Sequence, residues 1–159
     1  MTGVQTCALP ILLVATSDRD AYQLVSDRVT ILAPARGVSE INRIGPAEVR
    51  ERYGVEPAQV PDLIALRGDP SDKLPGARGI GPKKAAEVLA QYATLEDVLA
   101  AGRFASEAED LRLFRRIAQM DASAPLPPLK PQTPSWVEAS SFVSDLGLRQ
   151  LAERLASVA

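Results

Sequence analysis

The sequence predicts an α/β fold in which a small parallel sheet precedes a mostly helical region. Three observations predict it. Two short apolar runs, Leu12 to Thr16 and Val29 to Ala33, suit strands buried on both faces. From Pro46 onward, segments that open on proline or a capping residue carry apolar side chains at helical spacing. Two of those helices are joined by a turn punctuated by Gly76, Gly79 and Gly81, and glycine lets a backbone turn with positive φ.

Taken in order, the first strand ends in Ser17-Asp18-Arg19-Asp20, so two carboxylates lie beyond its C-terminal end. In an open α/β sheet that edge is where ligands bind. Asp20 also stands where an N-cap for a helix over Ala21 to Val25 would fall, and spacing alone leaves cap and ligand role equally open. After the second strand, Pro34 to Asn42 reads as a loop. Pro46 to Tyr53 reads as a helix stopped by Gly54, and the next, with Leu63, Ile64 and Leu66, runs from Pro57 or Pro61 to Arg67. Pro82 to Tyr92 follows the turn, with Ala85, Ala86, Val88 and Leu89 as a core stripe. Thr94 with Asp97 is a capping-box start to a helix through Ala101. A further helix spans Ser106 to Met120, its Leu111, Phe114, Ile117 and Ala118 apolar and its Arg112, Arg115 and Arg116 facing Glu107, Glu109 and Asp110. Pro125 to Pro134 is proline-rich and extended. A terminal helical segment from Ser144 to Ala156, interrupted near Gly147, is expected to pack Leu146, Leu148, Leu151 and Leu155, with Trp136 and Phe142 as core anchors.

Composition bounds the chemistry. The 159 residues carry a net charge of −2, so any surface for nucleic acid must be local rather than global. Only four lysines occur, and Lys73, Lys83 and Lys84 fall together near Arg67 and Arg78. There is no histidine and one cysteine, Cys7. That excludes a disulfide framework, a Cys/His zinc site and histidine-based nucleophile systems. A metal would have to be held by carboxylates, which suit hard cations such as Mg2+ or Mn2+. No apolar run reaches the ~18 residues that suggest a membrane span. Ala8 to Ala15 is broken by Pro10 and lacks a charged leader, so it does not read as a signal peptide. A cytoplasmic location is expected, with no membrane partner and no small-molecule cofactor.

The densest signal is GDPSDKLPGARGIGPKKAA, from Gly68 to Ala86. Asp69 and Asp72 precede the glycine turn, and the turn opens into a helix at Pro82 with Lys83 and Lys84 in its first turn. A helix N-terminus offers unpaired N–H groups and a positive dipole end to a phosphate. Pro82 costs nothing at the first helical position.

This stretch, together with VATSDRDAYQLVSD at 14 to 27, resembles the 5′-nuclease (flap endonuclease) superfamily, especially bacterial 5′→3′ exonucleases and their polymerase-linked domains. Residues 12 to about 156 carry the resemblance. It implies a partial parallel sheet of a PIN-like core (12–45), a helix-hairpin-helix subdomain (46–124), and a proline-rich link with a C-terminal helix (125–159). It implies that Asp18, Asp20, Asp69 and Asp72 are catalytic metal ligands for two Mg2+ or Mn2+ ions. It further implies that Gly76, Arg78, Gly79, Ile80, Gly81, Lys83 and Lys84 contact DNA, with K+ at the hairpin. The substrate would be DNA with a 5′ end, flap or nick, cleaved in replication and repair. Lys73 stands where the family pattern commonly has Asn or a small residue. Residues 1–11 resemble a translated sequencing adapter, the alternative being an ordinary loop into the first strand. On the adapter reading the chain lacks the N-terminal half of its active site and is inactive or weakly active. The rival expectation is a non-catalytic, structure-dependent DNA-binding module. Oligomeric state is not legible.

Overall fold

The structure, a computed structural model, describes residues 12–35, 40–121, 123–125 and 135–158. The leader 1–11 with Cys7, and most of the proline-rich stretch with Lys130, lie outside the described residues. The backbone divides into two compact units, Met1–Ala122 and Ser123–Ala159.

In the first unit, β1 (Leu12–Ala15) pairs in parallel with β2 (Val29–Pro34), Leu12 opposite Val29. A short 3-10 turn, Asp20–Leu24, lies in the crossover between them and buries Ala21 and Tyr22. β3 (Ile41–Ile44) then pairs antiparallel with β2, Ile31 opposite Ile44. The loop expected over 34–42 is therefore partly strand, and the sheet, in order β1-β2-β3, is mixed. The four-residue β3 exposes Ile41, Asn42 and Arg43 and buries only Ile44. It offers no apolar run for sequence to register; pairing with β2 sets its conformation.

The helices are α1 (Pro46–Tyr53), α2 (Val60–Arg67), α3 (Pro82–Gln91), α4 (Leu95–Ala100) and α5 (Ala108–Ala118). Gly54 ends α1 in the left-handed conformation, as its position predicts. A single 3-10 turn, Pro57–Gln59, feeds α2 and resolves where that helix starts. α2 is the centre of the unit, buried at every position from Val60 to Leu66, and it packs against α3 and α5. Asp62 is the one charged residue in that run. It accepts the Leu95 N–H at 3.1 Å and is ion-paired to Arg115. Two elements are thereby tied to α2 by one buried carboxylate. Thr94 and Asp97 form the predicted capping box.

The α5 surface corrects the expected pairing. Arg112 bonds Glu96 as well as Glu109, Arg115 turns inward to Asp62, and Glu107 accepts a backbone N–H from Arg78. Ile117, expected in the apolar stripe, is exposed, while Leu111 and Ala118 are buried.

The second unit holds α6 (Trp136–Asp145) and α7 (Arg149–Ala156), turned at Gly147 with φ 77°. The interruption near Gly147 is where the sequence placed it, but α6 was not anticipated. Trp136, Phe142, Leu146, Leu148 and Leu151 are exposed, against the expectation of a packed core. Two helices of this length meet along one seam, and that seam buries the small Ala152.

Candidate functional site

Asp18 follows the C-terminal end of β1, where its own N–H donates to Thr16 Oγ1 at 3.0 Å. Its Oδ1 accepts the Asp20 N–H at 2.9 Å, which fixes the turn between the two carboxylates. Asp20 opens the 3-10 turn, and the cap position belongs to Arg19 with no side-chain cap bond. Asp20 therefore does not cap this turn. Gln23, in the same turn, donates to the Ala118 carbonyl at 2.9 Å and accepts from Met120 N–H at 2.9 Å. Those bonds lock the segment bearing Asp20 onto the end of α5.

Asp69 and Asp72 come from the loop after α2. Asp69 and Leu74 exchange backbone hydrogen bonds of 2.9 and 2.8 Å, closing a tight six-residue loop. Inside it, Asp69 Oδ1 accepts the N–H and the hydroxyl of Ser71. The Ser71 hydroxyl is the main reason the Asp69 carboxyl lies below its usual range, with Arg67 assisting. Arg67 Nη2 is 3.9 Å from Asp69 Oδ2. Lys73 takes φ 59° to complete the loop.

The four aspartates line one cavity, with Ser17, Arg19 and Ser71. Asp20 is pushed up to about 6, first by burial and then by the charges of Asp18, Asp72 and Asp69, with Arg67 opposing. Its neighbours are oxygen donors and its field is negative, the chemistry that suits a hard divalent cation. Among the described residues, however, no three acidic side chains close into a ready-made cation cage.

The hairpin between α2 and α3 is built on backbone contact. A Cβ on Gly76 would lie 2.3 Å from Gly68 N, and one on Gly68 would lie 2.6 Å from the Leu74 carbonyl oxygen. Gly76 thus has a structural requirement independent of any ligand. Ala77 N–H donates to the Leu66 carbonyl at 2.8 Å, which seats the turn on α2. Ile80 packs against the core, while Arg78, Gly79, Gly81, Lys83 and Lys84 are exposed. Gly79 has φ 74° with open space around its Cβ position. Gly81 has ordinary extended backbone at φ −95° and precedes Pro82 at the first position of α3. The turn also forms one wall of a groove whose other wall is Glu107, Asp110, Leu111 and Phe114 of α5 and its approach.

Sequence reasoning thus finds both groups of candidates, and the structure gathers the aspartates at one cavity and the hairpin residues at one turn. It misses Ser71 and Gln23, and it misses the positioning parts of Arg67 and Glu107, which it names only within the basic cluster and as a surface partner of the α5 arginines. Only Asp69-Pro70-Ser71 gave a local signal, the pattern of a side chain that bonds the backbone two residues on.

A small parallel pair with carboxylates at its C-terminal end, followed by a helical hairpin on a glycine turn, defines the class of fold. Residues 55–139, just over half of the chain, match the model of the 5′-3′ exonuclease, C-terminal SAM fold. The chain belongs to the 5′-3′ exonuclease family. DNA polymerase I of Mycobacterium leprae is 58% identical over 87 residues, covering 55% of this chain and 10% of that protein. The 5′-3′ exonuclease of Streptomyces coelicolor is 50% identical over 90 residues, covering 55% of this chain and 30% of that protein. The chain therefore spans a minor part of the curated relatives it matches. The fold is similar to that of the phage T5 D15 flap endonuclease crystallised with DNA and metal ions. That likeness has a TM-score of 0.61 at 16% identity and covers 93% of this chain and 53% of the phage protein.

Proposed function

We propose that the chain serves structure-specific 5′→3′ exonuclease or 5′-flap endonuclease action on DNA, by divalent-metal-dependent phosphodiester hydrolysis in replication and repair. The convergence of Asp18, Asp20, Asp69 and Asp72 on one cavity carries this reading, because they arrive from segments about fifty residues apart in sequence. The DNA and metal ions crystallised with the phage T5 flap endonuclease support it.

In this reading the four aspartates hold Mg2+ or Mn2+. Bound there, such cations neutralise charge on the phosphodiester and supply Lewis acidity. Ser71 and Arg67 keep Asp69 ionised and oriented. The turn around Gly79 and Gly81 presents the start of α3 to a duplex backbone, with Lys83 and Lys84 adding charge, and hairpin carbonyls take K+. Phosphate contacts of this kind fix position and read no base sequence. Arg78 and Ile80 belong to the same surface, Ile80 chiefly by holding its shape. On this reading the work is cytoplasmic because its substrate is DNA. Among the described residues no helix is long and apolar enough to cross a membrane.

A second reading, a non-catalytic DNA-binding module, is favoured by the fact that no three acidic side chains close into a cation cage among the described residues. Incubation of the 159-residue chain with a 5′-flap duplex, in Mg2+ or EDTA with binding read in parallel, separates the two. Cutting that needs Mg2+ and disappears in Asp69→Ala supports the nuclease. Salt-sensitive binding without cutting selects the module. Neither binding nor cutting overturns both.

A further inference from the structure

Asp20 opens a five-residue 3-10 turn, an element whose hydrogen-bond geometry is poorer than that of an α-helix. Ala21, Tyr22 and Val25 bury the inner side of this segment, and the Tyr22 and Tyr53 ring centroids lie 5.8 Å apart. Apolar burial is non-directional, so it holds the turn down without setting its register. A directional tie across the fold is made by Gln23.

The half-buried Gln23 amide makes three hydrogen bonds. Its Nε2 donates to the Asp20 carbonyl at 2.8 Å and to the Ala118 carbonyl at 2.9 Å, and its Oε1 accepts the Met120 N–H at 2.9 Å. Two carbonyls face the nitrogen and one N–H faces the oxygen, so a single orientation of the amide satisfies them. Glu lacks the donors, Lys and Arg lack the acceptor, and Asn is one methylene short. Ala118 is the last residue of α5, where helix carbonyls have no partner within the helix. The same amide therefore closes the end of α5 and anchors the backbone of Asp20. α5 is in turn fixed to α2 by packing and by the Arg115–Asp62 ion pair, and α2 runs directly into the loop of Asp69 and Asp72.

We propose that Gln23 is a positioning residue of the cation site, which holds Asp20 to the end of α5 and so sets where that carboxylate stands against Asp18, Asp69 and Asp72. The role rests on the metal-dependent reading above and adds to it the side chain that keeps the two aspartate segments in register. Groups that orient metal-ligating side chains from behind are commonly worth about 10–100-fold in metal affinity.

The test titrates the 159-residue chain with Mn2+ and reads the free ion by electron paramagnetic resonance. Gln23→Met keeps the reach of the side chain and removes all three bonds, whereas Gln23→Asn keeps the amide but falls short of Ala118 and Met120. Thr94→Ala is the control, because it removes the cap of α4 and lowers stability without touching an aspartate of the cavity. Melting and 5′-flap duplex binding are read in parallel in EDTA. The expected result is Mn2+ affinity about tenfold lower in both Gln23 variants. Thr94→Ala keeps the parent's Mn2+ affinity, and all three variants keep its duplex binding in EDTA. Parent-like Mn2+ affinity in both Gln23 variants overturns the positioning role. So does an equal loss in Thr94→Ala, or a loss of duplex binding alongside that of Mn2+, since either marks general loosening of the fold. A parent chain that binds no Mn2+ overturns the cation reading itself, and the role of Gln23 with it.

Discussion

Lys73 shows how a single residue can be tolerated at a cost. Its φ of 59° places an ordinary side chain in the left-handed region that Asn and Gly occupy more readily. The family pattern read from sequence commonly has Asn or a small residue here, and the positive φ supplies a conformational ground for such residues. Lys73→Asn is expected to stabilise the fold by about 0.5–1 kcal/mol, read as a rise in thermal midpoint. Asp20 sets up the opposite balance, a residue whose charge costs stability where it is kept. Its carboxyl is raised from 3.8 to about 6 in the folded state, mainly by burial. Between those values the folded chain binds more protons than the unfolded one, so this contribution to stability falls as pH rises through the window. Asp20→Asn should therefore raise stability in EDTA at pH 7.5 and leave it nearly unchanged at pH 3.5. Solvent screening of this half-exposed group limits the gain to about 1 kcal/mol. Urea unfolding at the two pH values measures it, and an equal or larger gain at the lower pH contradicts the sign.

At the scale of elements, the hairpin separates two kinds of glycine. Gly76 meets the Gly68 backbone, whereas Gly79 has the same sense of φ but open space. Gly76→Ala is expected to displace the loop bearing Asp69 and to lower the melting temperature sharply. Gly79→Ala should cost only the strain of its φ, about 1 kcal/mol. Equal melting temperatures for the two variants would contradict this division. Much of the element plan was legible because the signals are local. Pro46 and Pro82 start helices, Gly54 stops one, and Thr94 with Asp97 forms the box that sequence spacing predicts. β3 was not legible, since Ile41 to Ile44 acquires its strand conformation from β2. Nor was the inward turn of Arg115, which depends on Asp62, a residue 53 positions away in sequence.

For the whole molecule, composition was informative mainly through exclusion. A chain of net charge −2 without histidine left carboxylates as the metal donors and confined any DNA surface to a local patch. The structure adds what spacing could not: the aspartates of two distant segments share one cavity, and Arg67 is ion-paired with Asp69 beside it. Burial in the second unit was misjudged because apolar residues such as Phe142 and Leu146 were assigned to a core that their helices do not build around them.

On the proposed function, the turn and the first residues of α3 grip nucleic-acid phosphate. Equilibrium binding of a 5′-flap duplex across a series of salt concentrations tests it most directly, comparing the parent chain with the Lys83→Ala, Lys84→Ala double variant. Weaker binding is expected, with a logarithmic salt slope smaller by about 2, roughly one per lost phosphate contact. A double variant with the parent's affinity and slope would contradict it, and would move the DNA surface away from the hairpin.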